Sequence, residues 1–157
     1  MATAWNNLAQ ASRFQGRYLE AEKDYREAIG IWEETLGPWH PDLGKGLMNF
    51  AAFYHERGRE SGAEDLYSRA AAIFERAFGK NDPRTLVARN ELADVLRAER
   101  RYTESAKLGR ATLAALEKGL AQDDPRVTRA LSNQARLLDE TRRPARQTVA
   151  ETSGEPE

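Results

Sequence analysis

The 157-residue chain has no cysteine, only two histidines and two methionines, and no surplus of either charge. Without thiols it can form no disulfide, use no thiolate nucleophile and hold no metal through a thiolate. Its 24 lysines and arginines nearly cancel 25 acidic residues, leaving a formal net charge of −1. A nucleic-acid binder normally carries a clear basic excess to displace counterions, so no nucleic-acid partner is expected. No apolar run approaches the roughly 20 residues that cross a bilayer, and Met1 to Phe14 lack the basic start and apolar core of a secretory signal. The reading is therefore of a chain without a membrane partner, placed in the reducing cytoplasm. Hydrophobic residues make up 40% and charged residues 31% of the sequence, enough for one domain with an apolar interior and a surface rich in ions.

A period of 42 residues runs through the chain. His40-Pro41-Asp42, Asp82-Pro83-Arg84 and Asp124-Pro125-Arg126 align at this offset, as do Gly16 with Gly58 and Gly37 with Gly79. Leu8-Ala9 falls on Phe50-Ala51 and Leu92-Ala93, Ala21 on Ala63, Tyr25 on Tyr67 and Ala28 on Ala70. Fixed periods of this size mark stacked supersecondary units. Within a unit, apolar and small residues recur at helical spacing, as in Leu47, Phe50, Ala51 and Tyr54 or in Ala21, Tyr25, Ala28 and Trp32. Gly16 and Gly58 sit where the first helix should end, because glycine accepts the left-handed conformation of a C-cap. Each proline suits a first helical turn, and Asp82 or Asp124 before it can cap free N–H groups. The pattern predicts seven helices, near 2–15, 18–36, 41–57, 60–78, 83–99, 102–119 and 125–141, and no strand.

The spacing Leu8-Ala9, Gly16, Ala21, Tyr25, Ala28 resembles the tetratricopeptide signature. The long 42-residue form, with the linker Leu36-Gly37-Pro38-Trp39-His40-Pro41 and the start Trp5-Asn6-Asn7-Leu8-Ala9, is similar to the repeats of kinesin light chains and their bacterial relatives. The resemblance covers roughly residues 1 to 142. It implies an all-α, right-handed α-α superhelix of three helix pairs plus a solitary C-terminal capping helix. The repeats are placed at about 1–39, 40–81 and 82–123, with the capping helix at 124–142. From 143 to 157 the composition reads as a disordered tail. Counting 42 back from Pro41 lands just before Met1, so the first helix starts without its entry loop, as in a chain that begins there or one cut from a longer array.

The third repeat departs from the pattern. Arg100 replaces the turn glycine, and a turn closed differently is expected there. Gly109 replaces the aromatic and Thr112 the small alanine, so looser packing of that helix is expected. The fourth unit has only its first helix, whose Gln134 and Arg136 should supply the polar surface of a cap.

No catalytic constellation is found, and the chain is read as no enzyme, with no cofactor and no metal. His40 belongs to the repeat linker. His55 has no second histidine, cysteine or carboxylate pair at ligand spacing in the sequence. Gly44-Lys45-Gly46 fails as a phosphate loop, since Trp39 stands where glycine is needed and no serine or threonine follows the lysine. Glu33-Glu34 and Asp123-Asp124 sit at helix ends as solvated or capping groups.

The resemblance does imply a binding groove, whose inner wall is lined by the first helix of every repeat. Carried over by register, one row is Asn6, Met48, Asn90 and Ser132. A second is Gln10, Ala52, Asp94 and Arg136, a third Arg13, His55, Arg97 and Asp139, and a fourth Thr3, Lys45, Val87 and Arg129. Asparagines at equivalent positions suit an extended peptide, because a carboxamide both donates to and accepts from bare backbone. Arg13, Lys45, Arg97, Arg129 and Arg136 would attract acidic side chains or a terminal carboxylate. The bland alternative has these groups simply solvated or neutralised by Asp94 and Asp139. The expected partner is a protein or peptide with acidic residues. Self-association through the solenoid ends, giving a homo-oligomer, is the alternative.

Overall fold

The computed structural model describes the backbone from Met1 to Thr152 and the side chains from Met1 to Arg142. Among the described residues seven helices follow one another: α1 (Ala2–Phe14), α2 (Tyr18–Leu36), α3 (Pro41–Glu56), α4 (Glu60–Phe78), α5 (Pro83–Ala98), α6 (Tyr102–Gly119) and α7 (Pro125–Thr152). No strand occurs among the described residues. Each helix packs on the next, and α1 also meets α3 as α5 meets α7. The odd-numbered helices therefore form one wall and the even-numbered helices the other, an all-α helical-repeat superhelix.

Local chemistry sets the helix ends. Asp82 Oδ1 accepts from Arg84 N–H and Asp124 Oδ1 from Arg126 N–H, each at 2.9 Å, with proline at the first helical position after them. His40 takes the same role through Nδ1, which accepts from Asp42 N–H at 3.2 Å. At the other end, Gly16 (φ 75°) and Gly58 (φ 68°) turn left-handed. Arg17 N–H then bonds Ser12 O, and Arg59 N–H bonds Tyr54 O, both at 2.9 Å.

Arg100 closes the third such turn in the same way, contrary to the expectation from its side chain. Its φ is 62°, and Arg101 N–H reaches Leu96 O at 2.9 Å. The paired hydrogen bonds and the packing on both sides outweigh the roughly 1–2 kcal/mol that a Cβ costs in this region.

The core is built from the small and aromatic positions of the period. Tyr25 stacks on Phe50 at 5.2 Å between ring centroids, and Phe50 meets Tyr54 at 4.4 Å. Such pairs add about 0.5–1.5 kcal/mol beyond area burial. Ala9, Ala21, Ala28, Ala51, Ala63 and Ala70 are wholly buried, which lets the backbones approach closely. Gly109, expected to leave slack where Tyr25 and Tyr67 stand, instead makes room for Gln134, whose amide occupies the site a Cβ would need. Gln134 is thus turned partly inward rather than serving only as outer polar surface.

Helix α7 runs past its expected end at 141 as far as Thr152. Arg142, Ala145, Arg146, Gln147 and Ala150 are good helix formers, and a proline at 144 removes one internal hydrogen bond without forbidding continuation. Over 143–152, where a disordered tail is expected, the backbone is helical; 153–157 lie outside the described residues.

Candidate functional site

Two clefts open on the first-helix wall one repeat apart, and they are the same cleft at two registers. The first, about 310 Å³, lies between α3 and α5 and is lined by Lys45, Met48, Asn49, Phe74, Pro83, Arg84, Val87 and Arg126. The second, about 210 Å³, lies between α5 and α7 and is lined by Val87, Asn90, Glu91, Leu116, Pro125, Arg126 and Arg129. Adding the period maps Lys45 onto Val87, Met48 onto Asn90, Asn49 onto Glu91, Phe74 onto Leu116, Pro83 onto Pro125, Arg84 onto Arg126 and Val87 onto Arg129. Each socket is floored by a buried side chain of the second helix, Phe74 or Leu116, and walled by the proline that opens the next repeat. A shallower cleft on α7 is lined by Arg129, Ser132 and Arg136 among others.

The sockets differ in chemistry. The first is mainly apolar, with Met48, Phe74, Pro83 and Val87 below and the cations Lys45, Arg84 and Arg126 around the rim. These cations are held in place by their neighbours: Lys45 Nζ bonds Asp42 at 2.8 Å, Arg84 forks onto Asp82, and Arg126 forks onto Asp124. In the second socket Glu91 is 7% exposed, and its carboxylate bonds Arg129 Nη2 at 2.6 Å. Burial pushes the Glu91 carboxyl above its usual value, with Arg129 acting against that rise.

The residues singled out by register divide into two groups. Lys45 and Met48 line the first socket, Asn90 and Arg129 the second, and Ser132 and Arg136 the cleft on α7. The others knit repeats together. Asn6 is buried and accepts from Asn49 Nδ2 at 3.2 Å. Arg13 pairs with Glu56 and Arg97 with Glu140, the same clamp at the first and third junctions. Gln10 is half-buried on α1.

At the middle junction His55 stands in the clamp row. The carboxylates that the sequence did not place near it come from other helices: Glu60 Oε2 lies 2.5 Å from Nδ1, and Asp94 Oδ2 lies 3.3 Å from Nε2. Asp94 also accepts from Arg97 at 2.8 Å and from Arg136 at 3.1 Å. Burial opposes ionisation of Asp94, but hydrogen bonds from His55 and Arg97 and the charges of Arg97 and Arg136 hold its carboxyl well below the ordinary range. The hydrogen bond to Asp94, opposed by burial and reinforced by Glu60, raises His55 to about 9. This is an ion network between repeats, and it explains why so many basic residues of the rows already have partners.

Register reasoning missed Asn49, Phe74, Pro83, Arg84, Glu91, Leu116, Pro125 and Arg126. Their signal was available in the 42-residue offset, at first-helix positions outside the four rows and at Phe74 and Leu116 of the second helices. No group of three or more histidine and acidic side chains able to hold a metal occurs among the described residues.

No curated protein matches the sequence. Among solved structures, two of a Podosopora anserina putative kinesin light chain with nearly identical TPR-like repeats are similar. One, of a single-substitution form, is 22% identical with a TM-score of 0.77, covering 96% of this chain and 72% of that one. The other is 22% identical with a TM-score of 0.75, covering 98% and 77%. BtubC (BKLC) from P. vanneervenii is 18% identical with a TM-score of 0.80, covering 99% of this chain and 66% of its own. At these identities the likeness speaks for the fold. The tetratricopeptide repeat model itself matches residues 1–76 and 42–118, three quarters of the sequence in all, and the chain belongs to the tetratricopeptide repeat family, with kinesin light chain-like repeats.

Proposed function

We propose that the chain is a non-catalytic scaffold that holds an extended peptide or a segment of a partner protein along the first-helix groove. The repeat fold supports a protein-interaction role. The observation that carries the groove reading is the first socket: an apolar cleft of about 310 Å³ beneath three cations fixed by their own carboxylate neighbours. A cleft of this kind takes an apolar side chain, and the rim attracts acidic residues beside it. The cations are oriented before binding, which lowers the entropy lost when they engage a ligand.

The test is a peptide-display selection against the full chain, repeated on Val87→Glu. A carboxylate on the floor of the socket should abolish binding of the selected peptides while leaving helicity and melting temperature unchanged. Selected peptides that bind the variant equally well would remove the groove reading.

A second reading, self-association through the ends, is supported by α7. Ala135 is exposed and Leu138 is 52% exposed, although their equivalents Ala9, Ala51, Ala93, Tyr54 and Leu96 are all buried. Sedimentation at rising concentration tests it, and a monomer throughout would dispose of it.

A further inference from the structure

The second socket carries a charge that its register equivalents lack. Where Glu91 stands, the other repeats have Asn7, Asn49 and Asn133, so this carboxylate is not a requirement of the repeat. It lies under apolar walls from Val87, Leu116 and Pro125, and burial disfavours its charged form. Its ion-pair partner, Arg129, keeps a side chain 66% exposed to solvent. One partner is thus fixed in the protein and the other is tethered only by a long, hydrated side chain. Leaving the buried carboxylate without a cation is strongly unfavourable, so Arg129 leaves Glu91 only as another cation takes its place. The arginine is therefore the exchangeable, solvent-exposed partner at a site that a cation on an aliphatic stem fits. The neighbouring cation, Arg126, forks onto Asp124 and makes no hydrogen bond to Glu91.

We infer that the second socket receives a lysine or arginine side chain of the bound peptide, the cationic head replacing Arg129 on Glu91 and the stem lying against Val87, Leu116 and Pro125. The inference rests on the groove reading and deepens it. The groove reads polarity along the peptide, an apolar residue with acidic neighbours at the first socket and a basic residue one repeat further on. Asn90, whose amide faces the other Glu91 oxygen at 3.4 Å, helps hold the carboxylate toward the cleft. Because the incoming ammonium or guanidinium replaces Arg129 charge for charge, Glu91 is never left unpaired during the exchange.

The probe is n-butylammonium chloride, a lysine side chain without its backbone, titrated into the full chain. Methyl signals of Val87 and Leu116 and the Glu91 carboxyl carbon are followed by NMR, with n-butanol and sodium chloride at matched concentration as controls. Butylammonium should shift all three signals and the controls should not. Arg129→Ala should tighten the response at least about fivefold, because the probe then pairs a buried carboxylate left without its cation. Glu91→Asn, which copies the other repeats and so keeps the fold, should abolish it. A silent titration in both the native chain and Arg129→Ala overturns the inference, as does an equal response in Glu91→Asn. Display-selected peptides that lose binding in Val87→Glu but show no preference for lysine or arginine overturn this inference alone. Peptides indifferent to Val87→Glu overturn the groove reading and this inference with it.

Discussion

His55 Nε2 lies 3.3 Å from Asp94 Oδ2, joining the second repeat to the third at the row where Arg13 and Arg97 join the other repeats to glutamates. The glutamate that would complete the usual clamp is absent, because the position equivalent to Glu56 and Glu140 is Ala98. The middle junction is therefore held by a group that titrates. Glu60 of α4, Asp94 and Arg97 of α5 and, through Asp94, Arg136 of α7 face it. Because the folded value of His55 is raised to about 9, its contribution is complete below its unfolded value near 6.5 and is lost as pH rises through about 9. Asp94 acts in the opposite sense, contributing above about 3.9 and losing that contribution as pH falls toward its depressed folded value. The native chain should lose urea stability on the alkaline side relative to a His55→Arg, Ala98→Glu variant that restores the clamp. Parallel pH profiles for the two proteins would show that His55 does not hold this junction.

Arg100 adopts a φ of 62° in a turn where Gly16 and Gly58 serve the first two repeats. The left-handed region costs a side-chain-bearing residue roughly 1–2 kcal/mol, partly offset because glycine gains more freedom on unfolding. Arg100→Gly should therefore raise stability by about 0.5–1 kcal/mol, read as an increase in denaturant midpoint without a change of slope. A lower midpoint would mean that the exposed arginine contributes more than its backbone costs.

The parts of the molecule legible in the sequence are those that repeat. Leu8-Ala9, Ala21, Tyr25 and the x-Pro pairs recur because every hairpin buries the same face, so helix existence, caps and core positions could be read from spacing. What was not legible depends on contacts between repeats. Asn6 and Asn90 share one register position, yet Asn6 is buried and bonded to the next repeat while Asn90 is buried on the wall of the second socket. The partners of His55 come from α4 and α5, five and 39 residues away, and no helical spacing links them. Arg100 broke the glycine rule while the turn kept its shape, since hydrogen bonds on both sides imposed the conformation.

Size complementarity across junctions makes a further case. Trp32 packs where Gly46 has no side chain; Phe74 and Ala88, at the same offset, share one core cluster with Trp32, and Leu116 and Ala130 share another. A Cβ at Gly46 would fall on the buried ring of Trp32, with its Cε3 at 2.9 Å and Ile29 Cδ1 at 3.2 Å. Helix propensity favours alanine over glycine by about 1 kcal/mol, while overpacking costs about 1–3 kcal/mol. Gly46→Ala should be net destabilising by about 1 kcal/mol, and Trp32→Phe with Gly46→Ala, copying the next junction, should recover part of that loss. Gly30→Ala is the control: nothing lies within 4 Å of its missing Cβ, so it should stabilise by about 0.5–1 kcal/mol. Thermal melts of the four proteins decide it, and a stabilised Gly46→Ala would show that the ring can shift.

The last junction offers the sharpest use of the repeat as its own template. Tyr25 packs with Phe50, and Tyr67 lies in the cluster that includes Leu92, whereas the equivalent pair here is Gly109 with Gln134. Gly109→Tyr alone places a ring where the Gln134 amide lies and should destabilise by about 1–3 kcal/mol. Gln134→Leu alone removes the amide and leaves the slot beside Gly109 poorly filled, with little net change. Together the two substitutions rebuild the pairing of the earlier junctions. They add an apolar contact worth about 1.5–3 kcal/mol and remove a helix-interior glycine worth about 1 kcal/mol. The double variant should therefore be more stable than the native chain by about 2 kcal/mol, with a coupling energy of at least that size between the two sites. Denaturant midpoints for the native chain, both single variants and the double variant close the cycle. Additive single effects would mean that Gln134 and residue 109 do not share one space.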